Sequence, residues 1–185
     1  MPRTVIFISG NGSNMENLID ADLPGEVVLV LSNNQNAPGL TKAQERGIKT
    51  GIIDNRKFNT RDDFDKALAK EISKYDPDLI ALAGFMLILG DSFLDHFPMK
   101  VLNIHPSLLP KYKGLNTHER VIQNKEKYSG CTVHYVNSRL DSGKIILQAK
   151  VKISKKDTSS SLKKKILKQE HLLYRKAIKK VFFSL

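Results

Sequence analysis

The sequence predicts an α/β protein built on a mostly parallel sheet. Three observations predict it. Continuous apolar, β-branched runs at residues 4–8, 27–31, 79–83 and 101–104 read as strands buried on both faces, stretches with helical apolar spacing fall between them, and each run ends in turn-forming residues.

The first strand candidate, Thr4 to Ile8, stops at Ser9-Gly10-Asn11-Gly12, after which Met15, Leu18 and Ile19 recur at helical spacing. The second runs to Leu31 and meets Ser32-Asn33-Asn34; a short helix over 40–46 is then closed by Gly47 ahead of a strand at 50–53. Thr60 with Asp63 three residues on forms a capping box. It starts a helix whose apolar stripe is Phe64, Ala67, Leu68, Ile72 and Tyr75, with Pro77 as its stop. Two further buried strands, 79–83 and 101–104, flank a short helical stretch at 91–97. A helix is expected over 115–123. Residues 131–136 and 144–153 then alternate more, as at a sheet's later, partly exposed edge. From Thr158 or Ser159 one long closing helix carries Leu162, Ile166, Leu173, Ala177 and Val181 inward.

A chain of 185 residues with 41% apolar side chains falls in the ~100–200-residue range of one domain and buries about two-thirds of its unfolded surface, which excludes disorder and a disulfide-dependent miniprotein. Cys131 is the single cysteine, so neither an internal disulfide nor a cysteine-rich zinc site can form. No apolar run approaches the ~18 residues of a membrane span, and the start, MPRTVIFISG, lacks a small-residue cleavage site; the expected location is cytoplasmic. The formal charge is +11, yet residues 1–149 carry 18 basic and 17 acidic side chains while 150–180 carry 12 and 2, so the excess belongs to the last strand, loop and helix. Almost no aromatic residues interleave those lysines, which argues against a nucleic-acid-binding module. No histidine pair has H-E-x-x-H spacing, and no metal is expected.

Four constellations can carry chemistry. The turn Gly10-Asn11-Gly12-Ser13-Asn14, between a strand and a helix, offers backbone amides, a hydroxyl and a helix start to a phosphate; the plainer reading is a tight β–α turn. It is neither a Walker loop nor a full G-x-G-x-x-G. Asn103 and His105 lie two apart at the end of a buried strand, on one side of it and at the carboxyl edge where open α/β sheets hold ligands; otherwise they are a turn cap and a packed histidine. Asp141, in the turn Ser138 to Gly143, would stabilise an imidazolium at His105 and relay a proton, unless it only makes an Asx turn. Glu170 sits on the inward stripe of the closing helix, where ligand hydroxyls, an amine or a core-edge lysine would satisfy it. Ser107 lacks a nucleophile elbow and Cys131 reads as a small buried hydrophobe; His118 and His134 could line a pocket, yet each reads individually as structural or surface, and His96 precedes a helix end where a histidine needs no special reason.

Several of these segments together resemble the phosphoribosylglycinamide formyltransferases of the folate-dependent formyltransferase family. The anchors are Ile8-Ser9-Gly10-Asn11-Gly12-Ser13-Asn14, Leu82-Ala83-Gly84-Phe85-Met86, Leu102-Asn103-Ile104-His105-Pro106-Ser107-Leu108-Leu109-Pro110, Leu140-Asp141-Ser142-Gly143 and Gln169-Glu170-His171. The resemblance implies a Rossmann-like three-layer formyltransferase fold, with a mostly parallel central sheet and a late antiparallel portion. It implies one domain over 1–185, with the phosphoribosyl side at about 1–100, the formyl-transfer and folate side at about 80–153 and the closing helix at about 159–182.

The implied reaction passes the formyl group of 10-formyltetrahydrofolate directly, through a tetrahedral intermediate, to the amine of 5-phosphoribosylglycinamide in purine synthesis. By the same resemblance Asn103, His105 and Asp141 are catalytic. Gly10, Asn11, Gly12, Ser13, Asn14, Met86 and Glu170 hold the phosphoribosyl substrate, Glu170 at its ribose hydroxyls. Arg61, Met86, Leu87, Ile88, Leu89, Asn103, Leu140 and Asp141 hold the folate, largely through backbone groups at the pterin. Leu87 replaces the arginine of the usual Phe-Met-Arg-Ile-Leu pattern, which leaves Arg61 for the folate's charged tail. Partners would be these small molecules alone, without nucleic acid or membrane, in a monomer or homodimer. The competing readings are methionyl-tRNA formyltransferase and formyltetrahydrofolate hydrolase, which share Asn, His and Asp but normally carry an extra domain.

Overall fold

The structure is a computed structural model and describes residues 1–183. Seven strands lie in the order β3-β2-β1-β4-β5-β6-β7, and the chain forms two compact units that meet between Asn103 and Ile104, inside β5.

The first unit contains β1 (Arg3–Ile8), α1 (Ser13–Ile19), β2 (Glu26–Ser32), α2 (Pro38–Glu45), β3 (Thr50–Ile52), a 3-10 turn at Asn55–Lys57, α3 (Arg61–Ser73), β4 (Leu79–Leu82), α4 (Asp91–Leu94) and most of β5 (Val101–His105). All its strand pairs are parallel. Val5 to Ile8, Leu29 to Leu31 and Leu79 to Ala81 are all but fully buried, as uninterrupted apolar strands require. Phe7 gathers Phe85 and Phe93 at ring-centroid distances of 5.2 and 5.8 Å. The cap of α3 follows the sequence: the Asp63 N–H donates to Thr60 Oγ1 at 3.1 Å, and the Thr60 hydroxyl donates back to the Asp63 carboxylate at 2.7 Å. The helical stretch expected over 91–97 is regular only to Leu94. Asp65, on α3, is a buried carboxylate that the apolar stripe concealed; burial pushes its pKa up, against the Gly90 N–H that donates to it at 2.9 Å.

The second unit holds the end of β5, α5 (Thr117–Gln123), β6 (Tyr128–Tyr135), β7 (Ile145–Lys152) and α6 (Ser159–Phe183). β6 and β7 pair antiparallel, and the inner face of α6, from Leu162 through Ile166, Leu173 and Ala177 to Val181, packs on them with the fully buried Tyr174. Two expectations are corrected. β6 is not a partly exposed edge: Ser129 to His134 are buried without a break, and only β7 alternates. The helix expected from Leu115 begins at Thr117, because Asn116 takes a left-handed φ of 55°, which a right-handed helix cannot contain.

The start of α6 is tied down by Asp157, whose carboxylate accepts from the Ser154 N–H at 2.7 Å, the Ser161 hydroxyl at 2.8 Å and Lys165 at 2.6 Å. Lys165 foremost, then the Ser154 and Ser161 bonds, hold this carboxyl down at about 2, against an ordinary 3.8. A depressed carboxyl contributes stability above its unfolded value and loses it as pH falls through the folded one. The unfolding temperature of Asp157→Asn is therefore expected to fall less steeply than the wild type's as pH drops from about 4 to about 2, in thermal scans followed by circular dichroism. Equal slopes would remove this role.

Candidate active site

In the first unit the glycine-bearing turn is shaped by close backbone packing. Gly12 stands at φ 73° before α1, and the Gly39 N–H, at the start of α2, donates to the Gly10 carbonyl at 3.1 Å. A Cβ at Gly39 would come within 2.6 Å of Ile8 Cδ1 and 3.0 Å of that carbonyl, so a larger residue there would push the turn out of place. No side chain caps the start of α1, where Ser13 and Asn14 lie. Lys42 of α2 donates to the carbonyl and the side-chain oxygen of Asn11, both at 3.1 Å, and to Glu16 Oε2 at 2.8 Å, which puts an ammonium, paired with a carboxylate, on the turn. Sequence reading missed it, since a lysine 31 positions away carries no local signal.

Ser9 ties the turn to the segment after β4: its hydroxyl donates to Asn33 Oδ1 at 2.6 Å and accepts from the Met86 N–H at 2.8 Å. In that segment Met86 and Ile88 are exposed and Leu87 is half-buried, whereas Leu89 is core, so a ligand meeting Leu89 would meet its backbone. Arg61 is half exposed, with Nε 3.7 Å from Asp65 Oδ2. Asn103, half-buried in β5, pairs in register with Leu82 and projects to the same side of its strand as the position two residues on.

That position is His105, whose buried imidazole has an acceptor at each nitrogen. Nε2 is 2.8 Å from the Tyr112 carbonyl and Nδ1 is 3.3 Å from Asp141 Oδ2. A carbonyl only accepts, so Nε2 carries the hydrogen that meets Tyr112, and Nδ1 faces the carboxylate at ion-pair distance. Asp141 stands at a left-handed φ of 45° in the loop between β6 and β7, and its Oδ2 also accepts from the Gly114 N–H at 2.8 Å. Tyr112, itself at φ 55°, is anchored by its hydroxyl, which donates to Glu126 at 2.9 Å.

The structure thus brings His105 and Asp141 together, and it also brings His134, a pocket-lining candidate in the sequence, close to Asp141. This histidine is buried in β6, with Nε2 3.9 Å from Asp141 Oδ1. Burial, first among several causes, pushes its pKa down. His118 on α5 is half-buried and is lowered by burial and then by Lys163 and His105. Glu170 is buried on the inner face of α6, and Leu140 is exposed beside Asp141. Burial and then Glu170 push the Cys131 thiol up to about 12, which removes it as a nucleophile near neutral pH, while the buried Ser107 hydroxyl donates to the Lys111 carbonyl at 2.7 Å. Among the described residues no group of three or more His, Cys, Asp or Glu side chains is arranged to hold a metal ion. An imidazole paired with a carboxylate is a set suited to moving a proton.

The chain belongs to the formyl transferase family, whose sequence profile matches residues 2–178. Within it, the chain is 43% identical over 174 residues to the phosphoribosylglycinamide formyltransferase of Escherichia coli, covering 92% of this chain and 82% of that one. It is 42% identical over 185 residues to the trifunctional purine biosynthetic protein adenosine-3 of Chironomus tentans, spanning 97% of this chain and 14% of that much longer one. The crystal structure of glycinamide ribonucleotide transformylase 1 from Symbiobacterium toebii superimposes with a TM-score of 0.94 at 39% identity, over 97% of this chain and 86% of that chain.

Proposed function

We propose that this chain transfers the formyl group of 10-formyltetrahydrofolate to the amine of 5-phosphoribosylglycinamide, as one formyltransferase domain over residues 1–185 acting in the cytoplasm on small molecules. The observation that carries the reading is the His105–Asp141 pair at 3.3 Å, two residues along β5 from Asn103, in a chain of this family. Asn103 donates to the formyl oxygen as the amine attacks and negative charge develops there. His105, backed by Asp141 at Nδ1, turns its Nε2–H from the Tyr112 carbonyl to the same oxygen and moves a proton, so that the attacking amine loses one proton and the departing folate nitrogen gains one.

Gly10, Asn11, Gly12, Ser13 and Asn14 take the phosphate through backbone amides and the Ser13 hydroxyl, while Lys42, paired with Glu16, holds Asn11 in place. Glu170 accepts from ribose hydroxyls. Exposed apolar side chains at Met86, Ile88 and Leu140 and the backbone of Leu87, Leu89 and Asp141 receive the pterin, and Arg61 the folate's charged tail. The test offers the purified protein 10-formyltetrahydrofolate with either phosphoribosylglycinamide or initiator methionyl-tRNA. Formylation of phosphoribosylglycinamide is expected; product with tRNA alone would transfer the assignment to the tRNA enzyme.

A further inference from the structure

Ser9 is half-buried just past the end of β1, directly before the phosphate turn, and none of the proposed roles uses its side chain. Its backbone is tied on its own account: the Ser9 N–H donates to the Gly84 carbonyl at 3.1 Å. The hydroxyl adds a second tie two residues further along, accepting from the Met86 N–H at 2.8 Å while donating to Asn33 Oδ1 at 2.6 Å. Only one arrangement of hydrogens fits. A backbone N–H can only donate, so the Ser9 oxygen receives it and sends its own hydrogen to Asn33 Oδ1. Asn33 faces the right way for this because its Nδ2 donates to Asn55 Oδ1 at 3.3 Å. No ionisable group takes part in this chain of bonds.

We infer that Ser9 is a positioning residue for formyl transfer: its hydroxyl holds the Met86 backbone, where the folate-receiving segment begins, at a fixed distance from the Gly10–Asn14 turn that takes the phosphate. This inference rests on the proposed function, in which those two places hold different substrates. Phe85, just before, is fastened in the core by its ring, 5.2 Å from that of Phe7, whereas the Met86 side chain is exposed. A polar bond from the end of β1 is therefore what seats the first residue of the segment. Asp65 seats the other end, its buried carboxylate accepting from the Gly90 N–H at 2.9 Å. Of the two anchors, only Ser9 is also joined through the chain to the phosphate turn. A formyl donor and an amine react only when held about 3–3.5 Å apart, so a shift of the segment against the turn slows the chemical step even where each substrate still binds.

Three substitutions separate the hydroxyl's bonds from its volume. Ser9→Thr keeps the hydroxyl, Ser9→Val has the shape of threonine without it, and Ser9→Ala removes it; all three retain the backbone bond to Gly84. Ser9→Ala and Ser9→Val are expected to lower kcat on the order of 10-fold with the KM for phosphoribosylglycinamide close to the wild type's, and Ser9→Thr to recover most of the rate. In the ligand-free protein, amide hydrogen exchange at Met86 is expected to quicken on the order of 10-fold in Ser9→Ala and Ser9→Val and to stay slow in Ser9→Thr. Unchanged exchange at Met86 in Ser9→Ala would overturn the inference, as would a wild-type kcat in Ser9→Val. A raised KM for phosphoribosylglycinamide with kcat unchanged would overturn it too, because the hydroxyl would then only shape the turn. Failure of the wild type to transfer formyl to phosphoribosylglycinamide would instead overturn the proposed function, and the exchange measurement tests the anchor independently of it.

Discussion

Asp141→Asn is expected to lower kcat for formyl transfer by on the order of 10²–10⁴-fold while the unfolding temperature stays close to the wild type's. His105 Nε2 carries the hydrogen that meets the Tyr112 carbonyl, and Nδ1 faces the Asp141 carboxylate at 3.3 Å, so a proton passed onto the ring during transfer lands beside a full negative charge. An amide at position 141 can donate to Nδ1 and occupy it, which removes that charge without removing the side chain's volume. The backbone should tolerate the change, since asparagine adopts the left-handed φ of 45° at this position more readily than most residues. Steady-state kinetics beside a thermal melt measure both halves of the expectation. A near-wild-type kcat would remove Asp141 from the chemistry.

The second large effect is expected from a residue that touches no substrate. Gly143 closes the loop between β6 and β7, and a methyl group there would overlap the Tyr135 carbonyl, which is also the acceptor for His134 Nδ1. Backbone cannot rotate aside as a side chain does, so the loop must lift. Gly143→Ala is expected to cost about 1–3 kcal/mol of stability, read from denaturant unfolding. A displacement of about 1 Å at Asp141 would also lower kcat on the order of 100-fold. Unchanged stability and rate would show that the loop closes without the glycine.

What the sequence made legible follows from how each feature is encoded. Strands buried on both faces, such as Val5 to Ile8 and Leu79 to Leu82, are written as unbroken apolar runs, and the inward carboxylate Glu170 stands out against an otherwise apolar helical stripe. Asn103 and His105 are adjacent along one strand, so their side-by-side projection needs only the period of two. The contacts missed are long-range or made by backbone. His134 meets Asp141 only because the chain after β6 turns back, and the Tyr112 carbonyl that orients His105 has no residue-type signature. Burial along β6 was misjudged because polar residues within it, Ser129, Thr132 and His134, mimic the alternation of an exposed face, although Thr132 spends its hydroxyl on the Ser107 carbonyl at 2.7 Å. The +11 charge, conspicuous in the composition, belongs to the last strand, the loop after it and the exposed side of α6, against which the buried Glu170 stands out.

Direct passage of a formyl group between two small molecules is tested most directly by mixing the purified protein with 10-formyltetrahydrofolate labelled with carbon-13 at the formyl carbon and with phosphoribosylglycinamide, and following the label by NMR. The label is expected to move onto the glycinamide nitrogen in step with the release of tetrahydrofolate, and to move on the order of 10²–10⁴-fold more slowly in Asp141→Asn. Label recovered as free formate, with no N-formyl product, would contradict it.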